Sequence, residues 1–151
     1  MSHSHELVDG DIRFVIDPAT REITPKNHVK TKLMQGDHAS EIFTFEMPQF
    51  IEGHDMSQCD DIEIHFINLG AKGEEYGGIN HIENSSIEDN KFIFTWVING
   101  GNTRFEGTLS FSIKFKCYDE DSEDSNWPIY VWNTDIFSNV KIAKTYDFTP
   151  K

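Results

Sequence analysis

The sequence predicts an all-β fold: an antiparallel β-sandwich of about eight to ten strands, immunoglobulin-like or jelly-roll-like. Apolar and polar residues alternate along several segments, as in strands with one buried and one solvated face. Aromatic residues form 13% of the 151 residues, and aromatic side chains are favoured in strands. No segment keeps a helical period over several turns, and strand-like segments recur at the spacing of a sandwich.

The strongest alternation lies in residues 91–98 and 108–117, which we predict to form a hairpin-like pair. Asn99-Gly100-Gly101-Asn102 would join them, because these residues tolerate a positive φ. Apolar residues of this pair and of other alternating segments form the predicted core. They are Phe43, Phe45, Ile62, Ile64, Phe66, Phe94, Trp96, Leu109, Phe111, Ile113 and Phe115.

The same alternation predicts the other strands in chain order. Before the pair, we predict strands at 12–16, 21–24, 28–34, 40–47, 61–67 and 79–82. Gly, Pro and polar residues predict turns or loops at 17–20, 36–38, 48–58, 70–78 and 84–90. After the pair, we predict an acidic turn at 119–124 and strands at 129–134, 136–137 and 140–144. A short helix is compatible with 56–60 or 135–140.

No linker divides the chain, so we predict one β-sandwich domain over residues 12–146. Residues 1–11 are predicted to be a flexible N-terminal arm, and residues 147–151 a C-terminal tail. The N-terminus lacks the basic and apolar regions of a signal peptide, and no apolar run reaches the length of a membrane span. We therefore expect synthesis in a bacterial cytoplasm.

The formal net charge of -13 limits the possible partners. Phosphate contacts need clustered Lys and Arg, so we expect neither nucleic acid nor an anionic membrane as a partner. The two cysteines, Cys59 and Cys117, are predicted to be small core residues, because a cytoplasm is reducing. A disulfide between them requires that their strands are neighbours in register.

Seven histidines raise the question of a metal site. The candidates are His3 with His5, Asp37 with His38, and His54 with Asp55. No spacing among them resembles a ligand signature, so we predict that each Asp caps a turn and that each His lies at the surface. The acidic run at 119–124 lacks the glycine and spacing of a calcium loop, and we interpret it as a solvated loop. We predict no metal site and no cofactor.

The sequence contains no nucleophile, phosphate-loop or dinucleotide motif, and we predict no catalytic residue and no enzyme activity. Glu41, Glu46, Glu63 and Glu106 are predicted to face outward from their strands. A pair of dispersed carboxylates for glycoside hydrolysis stays open, because the sequence does not show their separation in space.

The aromatic residues near the C-terminus are the best indication of a binding role. Tyr130 and Trp132 share one face of a strand, and they face outward if Ile129 and Val131 face the core. Exposed aromatic residues mark contacts with another chain or a ligand such as a sugar; the alternative is core or interface packing. The predicted interaction surface is Trp127, Tyr130, Trp132, Phe50 and Tyr76.

Several stretches, taken together and in order, resemble a known family. They are 29–45, 53–59, 62–68, 94–98, 107–111 and 132–138, and the similarity extends over residues 12–144. They include Gln35-Gly36-Asp37, Gly107-Thr108-Leu109 and Trp132-Asn133-Thr134. In these stretches the chain resembles the N-terminal domain of phage baseplate upper proteins, found in tailed phages and prophages of Gram-positive bacteria.

This resemblance implies a non-enzymatic β-sandwich in the tail baseplate of a virion, linking the tail tip to receptor-binding or fibre proteins. It also implies other tail or baseplate proteins as partners, a trimer or hexamer as the assembly, and a role in host adhesion. Members of the family usually continue into a helical, fibre-like or adaptor region, so we expect a short relative or an N-terminal domain. The alternative function is a carbohydrate-binding module that contacts glycans of the host cell wall.

Overall fold

The computed structural model describes residues 12–26, 32–118 and 130–145, and these form a β-sandwich, as predicted. The strands of these residues are β1 Ile12–Ile16, β2 Ile23–Pro25, β3 Lys32–Met34, β4 Ile42–Pro48, β5 Phe50–Ile51, β6 His54–Asp55, β7 Asp61–Gly70, β8 Glu75–His81, β9 Asn84–Glu88, β10 Lys91–Val97, β11 Gly107–Cys117, β12 Tyr130–Asn133 and β13 Phe137–Ala143. The described residues also contain one helical element, a 3-10 turn at Met56–Gln58. It lies within residues 56–60, where the sequence was compatible with a short helix.

Two sheets face each other across the core. The five-stranded sheet has the order β2-β1-β4-β10-β9, and the six-stranded sheet has the order β3-β13-β11-β7-β8, with β12 also paired to β11. Most pairs are antiparallel, but β1 is parallel to β4 and β13 is parallel to β3. The predicted sandwich is therefore confirmed, and these two parallel pairs make its sheets mixed. The chain supplies β3 to the second sheet before it returns as β4, and such a crossover leaves β1 and β4 parallel.

The predicted hairpin of residues 91–117 does not form. Strand β10 lies in the five-stranded sheet and β11 in the six-stranded sheet, and residues 98–106 cross between them. This crossing contains buried polar residues: Asn102 Nδ2 donates to Asn80 Oδ1 at 2.9 Å, and Thr103 Oγ1 donates to the Asp37 carbonyl at 2.8 Å. The positive φ of 153° is at Gly107, not within 99–102. A Cβ on Gly107 would collide with the Leu69 carbonyl oxygen, so this position requires glycine.

Two segments predicted as a loop and a turn are strands. Residues 70–78 contain most of β8, and residues 84–90 contain β9. Both are edge strands whose side chains are largely exposed, so their sequences carry little of the alternation that burial imposes. Gly78 lies beside the Phe66 ring, where an added Cβ would be 3.4 Å from two ring atoms.

The core lies between the inner faces of the two sheets. All eleven residues predicted for the core are buried. Phe111 is central among them and has five aromatic neighbours with ring centroids 5.1–6.0 Å away: Phe14, Phe43, Phe45, Trp96 and Phe137.

Cys59 and Cys117 form a disulfide bond, with their Cα atoms 4.1 Å apart, so the prediction of two separate thiols is wrong. The bond ties the segment after the 3-10 turn to the end of β11. The prediction failed because it rested on the cellular compartment, whereas the contact follows from strand register: β7 and β11 are neighbours, and Asp61 pairs with Lys116, next to Cys117.

Candidate functional site

The predicted aromatic surface is not formed as expected. Trp132 is only 3% exposed; its ring packs against Phe115 at 5.7 Å, and the Arg21 guanidinium lies 4.9 Å from its centroid. Val131 is the exposed residue of this strand, at 43%. The outward prediction for Trp132 is wrong because β12 pairs Trp132 with the inward-facing Phe115 of β11. Trp127 lies outside the described residues.

The other three predicted residues do not form one surface. Tyr130 is half-buried and stacks on the His54 ring at 3.8 Å. Burial raises the Tyr130 pKa, and the negative charge of Glu52 adds to this effect, while Arg21 opposes it. Phe50 is 57% exposed on the β5–β6 ribbon near His54.

Tyr76 lies elsewhere in the fold, beside the crossing segment. Its ring is 3.9 Å from the Arg104 guanidinium, and an added Cβ on Gly101 would be 3.0 Å from the ring. A cation held against an aromatic face is favourable by about 0.5–1 kcal/mol when it is exposed. Tyr76 thus fixes Arg104 locally, at a distance in the fold from the Phe50 ribbon.

Apolar side chains are exposed on the outer face of the six-stranded sheet. Ile136 is 69% exposed, Ile79 48% and Leu69 41%. A groove of 280 Å³ runs beside Ile136, where its floor includes the small residues Ser110 and Ser112. Exposed apolar groups of this kind favour a contact with another molecule.

A second groove, of 400 Å³, lies between the edge strands β8 and β9. Its inner side is fixed by Asn80, whose Oδ1 accepts from Trp96 Nε1 at 3.0 Å and from Asn102 Nδ2 at 2.9 Å. These bonds tie the edge of the six-stranded sheet to β10 in the other sheet. β8 and β9 are edge strands, and the unpaired backbone groups of an edge strand can bind an added strand from another chain.

Two of the carboxylates predicted to face outward, Glu46 and Glu63, are largely shielded from solvent by neighbouring side chains. The Glu63 side chain is 8% exposed, accepts from Lys116 Nζ at 3.0 Å and lies 2.9 Å from His65 Nε2. Burial opposes the ionisation of Glu63, but the hydrogen bonds and charges of His65 and Lys116 outweigh it, and its pKa is lowered. Glu46 is held in the same way by Lys26 and Lys91, and its pKa is also lowered.

These two carboxylates cannot act as one glycosidase pair. Glu46 alternates with the buried Phe45 and Met47 of the five-stranded sheet, and Glu63 alternates with the buried Ile62 and Ile64 of the other sheet. The two groups therefore lie on opposite outer faces of the sandwich, whereas such pairs lie within about 10 Å of each other.

The predicted caps are confirmed for both His–Asp pairs within the described residues. Asp37 Oδ2 accepts from the Met34 amide at 2.9 Å, and Asp55 Oδ1 accepts from the Ser57 amide at 3.0 Å. His38 Nδ1 accepts from the Gly100 amide at 3.0 Å, while His54 stacks on Tyr130. His3, His5 and the acidic run at 119–124 lie outside the described residues.

One cluster was missed by sequence reasoning. Asp61, Glu63 and His81 place a ligand-type atom each within 4.8 Å of one another, and His81 Nδ1 lies 3.0 Å from Asp61 Oδ1. The β7–β8 register places His81 directly opposite Glu63. The alternation of residues 61–67 indicated that Glu63 faces outward, but no signal in the sequence shows which residue of β8 pairs with Glu63.

Comparison with known proteins adds no family assignment: no family model matches the chain, and a search of the curated proteins gives no match. Within the described ranges, no helix is long and apolar enough to cross a membrane.

Proposed function

We propose that the chain is a non-enzymatic structural module of a phage or prophage tail baseplate, which links the tail tip to receptor-binding or fibre proteins. The resemblance over residues 12–144 supplies the biological setting. The structural observation that supports an assembly role is the set of exposed apolar side chains on the outer face of the six-stranded sheet, where Ile136 borders a groove. The other sheet also exposes an apolar pair, Ile42 and Val97, at 45% and 43%.

An assembly surface on this chain must overcome electrostatic repulsion between copies. A net charge of -13 makes copies of the chain repel one another and keeps them soluble. A stable contact therefore needs local apolar burial, at about 25 cal/mol per Å² of surface removed from water. Ile79, Leu69 and Ile136 supply such a surface on one face of a disulfide-linked sandwich. Contacts between copies, as in a trimer or hexamer, should strengthen with added salt because salt screens the repulsion.

The carbohydrate-binding alternative has less support. It depended on an outward ladder of Trp127, Tyr130 and Trp132, and Trp132 is buried against Phe115. Tyr130 is covered by His54 on one face of its ring, so a stacked sugar would have to compete with that contact.

The test of the proposed function is a particle experiment in the organism that encodes the chain. After prophage induction, particles are purified, the chain is sought in them by mass spectrometry, and its gene is deleted. We expect the chain in intact tails, and tails without complete baseplates after deletion. Absence of the chain from purified particles, or normal baseplates in the deletion strain, would overturn the proposal.

The surface itself is tested with a matched pair of variants. Ile79→Asp places a charge on the outer face of the six-stranded sheet, and Ile42→Asp places one on the outer face of the other sheet. The two isoleucines are 48% and 45% exposed, so both changes should leave folding nearly unaffected. We expect only Ile79→Asp to exclude the chain from particles. Equal incorporation of both variants would show that this face is not the assembly surface.

A further inference from the structure

The cluster of Asp61, Glu63 and His81 has the composition of a transition-metal site. Asp61 and Glu63 are alternate residues on the outer face of β7, and His81 lies opposite Glu63 on β8. All three ligand-type atoms lie within 4.8 Å of one another. The three side chains therefore meet at one point on a rigid pair of strands rather than on a loop.

His65 contacts the cluster from the same strand face. It follows Glu63 by two residues, and its Nε2 lies 2.9 Å from Glu63 Oε1, so it helps to orient this carboxylate. One imidazole and two carboxylates are ligand types that Zn²⁺ binds, and imidazole distinguishes such ions from Ca²⁺ and Mg²⁺, which take oxygen ligands. Lys116 donates to Glu63 Oε2 at 3.0 Å, and this hydrogen bond holds the carboxylate in place.

We propose that Asp61, Glu63 and His81 bind a divalent transition-metal ion of the zinc class through one imidazole and two carboxylates, with the fourth position open. Ligand atoms about 2.1 Å from a tetrahedral ion lie roughly 3.4 Å apart, so the separations among these three ligand atoms must close by at most about 1.4 Å. The His81 side chain is 61% exposed and the Asp61 side chain 27% exposed. Rotation of these two side chains can supply that movement while Glu63 stays fixed.

The charges around the cluster set its selectivity. Lys116 offsets one of the two carboxylate charges, which disfavours hard ions that depend on several anionic oxygens. The imidazole of His81 suits borderline ions such as Zn²⁺, Co²⁺ and Ni²⁺ and keeps its affinity for them in this setting. We therefore expect neither Ca²⁺ nor Mg²⁺ to compete.

The experiment is a titration of the full chain with Co²⁺ and Zn²⁺, followed by visible absorption for Co²⁺ and calorimetry for Zn²⁺. His3→Ala/His5→Ala is the parent, because those two histidines could bind metal by themselves. We expect one equivalent to bind to this parent and His81→Ala to weaken binding at least about tenfold. His54→Ala removes an exposed histidine outside the cluster and is the matched control.

Three results would overturn the proposal. They are the absence of binding to the parent, equal affinity of the parent and His81→Ala, and competition by Ca²⁺ or Mg²⁺ at similar concentration. Thermal melts without metal show whether His81→Ala is folded. If it is not, His81→Gln, which keeps a polar side chain at this exposed position, replaces it with the same expected loss.

Discussion

Phe111→Ala is the sharpest test of how the sandwich is held together. Phe111 is 1% exposed and lies on β11, which has a paired strand on each side. Truncation of a buried Phe to Ala costs about 3–5 kcal/mol, and the cost rises when the surroundings cannot collapse into the cavity. Both sheets contribute aromatic neighbours to Phe111, and most of these rings also contact each other.

We therefore expect a loss in the upper part of that range, about 4–5 kcal/mol of unfolding free energy. For a chain of this size, 1 kcal/mol corresponds to roughly 2–4 °C, so the melting temperature should fall by about 8–20 °C. Urea unfolding followed by tryptophan fluorescence measures the loss, since Trp96 packs against Phe111 at 5.1 Å.

Ile136→Ala is the matched control, because it removes apolar atoms from a side chain that is 69% exposed. It should change the unfolding free energy by less than about 0.5 kcal/mol. If Phe111→Ala is too unstable to purify, Phe111→Leu should lose a smaller and measurable amount. A nearly unchanged urea midpoint for either Phe111 variant would show that the centre of the core has been wrongly identified.

Three further predictions concern the covalent link, the backbone and an ion pair. Replacing Cys59 and Cys117 by Ser should cost about 4 kcal/mol of unfolding free energy in a urea melt, because the bond closes a loop across a sequence separation of 58. A thiol assay on the unreduced, unfolded parent should detect no free thiol, because both cysteines are in the disulfide. Gly107→Ala should cost at least about 1–3 kcal/mol in the same melt, whereas Gly100→Ala should be nearly neutral, because its Cβ would make only an ordinary contact of 3.8 Å with His38 Nδ1. The lowered pKa of Glu63 means that its stabilisation is present above the ordinary Glu pKa and is lost as pH falls through the folded-state pKa. Stability measured against pH for the parent and Glu63→Gln should therefore converge in acid, and a constant difference would exclude this ion pair as the cause.

The inward positions of the strands could be predicted from the sequence, because alternation with a period of two is a local property. The division of strands between sheets could not. Residues 98–106 contain two Gly and two Asn in a row of four, which predicts a turn, and yet Asn102 and Thr103 are fully buried. Their hydrogen bonds go to Asn80 and Asp37, which are far away in the sequence. No local sequence pattern reveals such distant partners. The segment that crosses between the sheets was therefore predicted to be a hairpin turn.

The candidate site shows the same limit. Residues 129–132 are apolar on both faces of the strand, so alternation cannot choose between Val131 and Trp132 as the buried residue, and the pairing of Trp132 with Phe115 decides it. Glu63 is outward, as predicted, but Lys116 and His65 cover it. Facing outward thus does not mean being solvated, because strands on either side contribute long side chains to the same face.

Strand β11 is held at both ends, and this determines what its two faces can do. At one end Cys117 is bonded to Cys59. At the other end, the buried Asn68 side chain donates to the carbonyls of Phe105 at 3.1 Å and Thr108 at 3.0 Å. The inward side chains between these points are fully packed, and the outward Ser110 and Ser112 only line a groove. Changes at Ser110 and Ser112 therefore carry little cost for folding, which is the physical condition that allows this part of a rigid sandwich to acquire a specific partner surface.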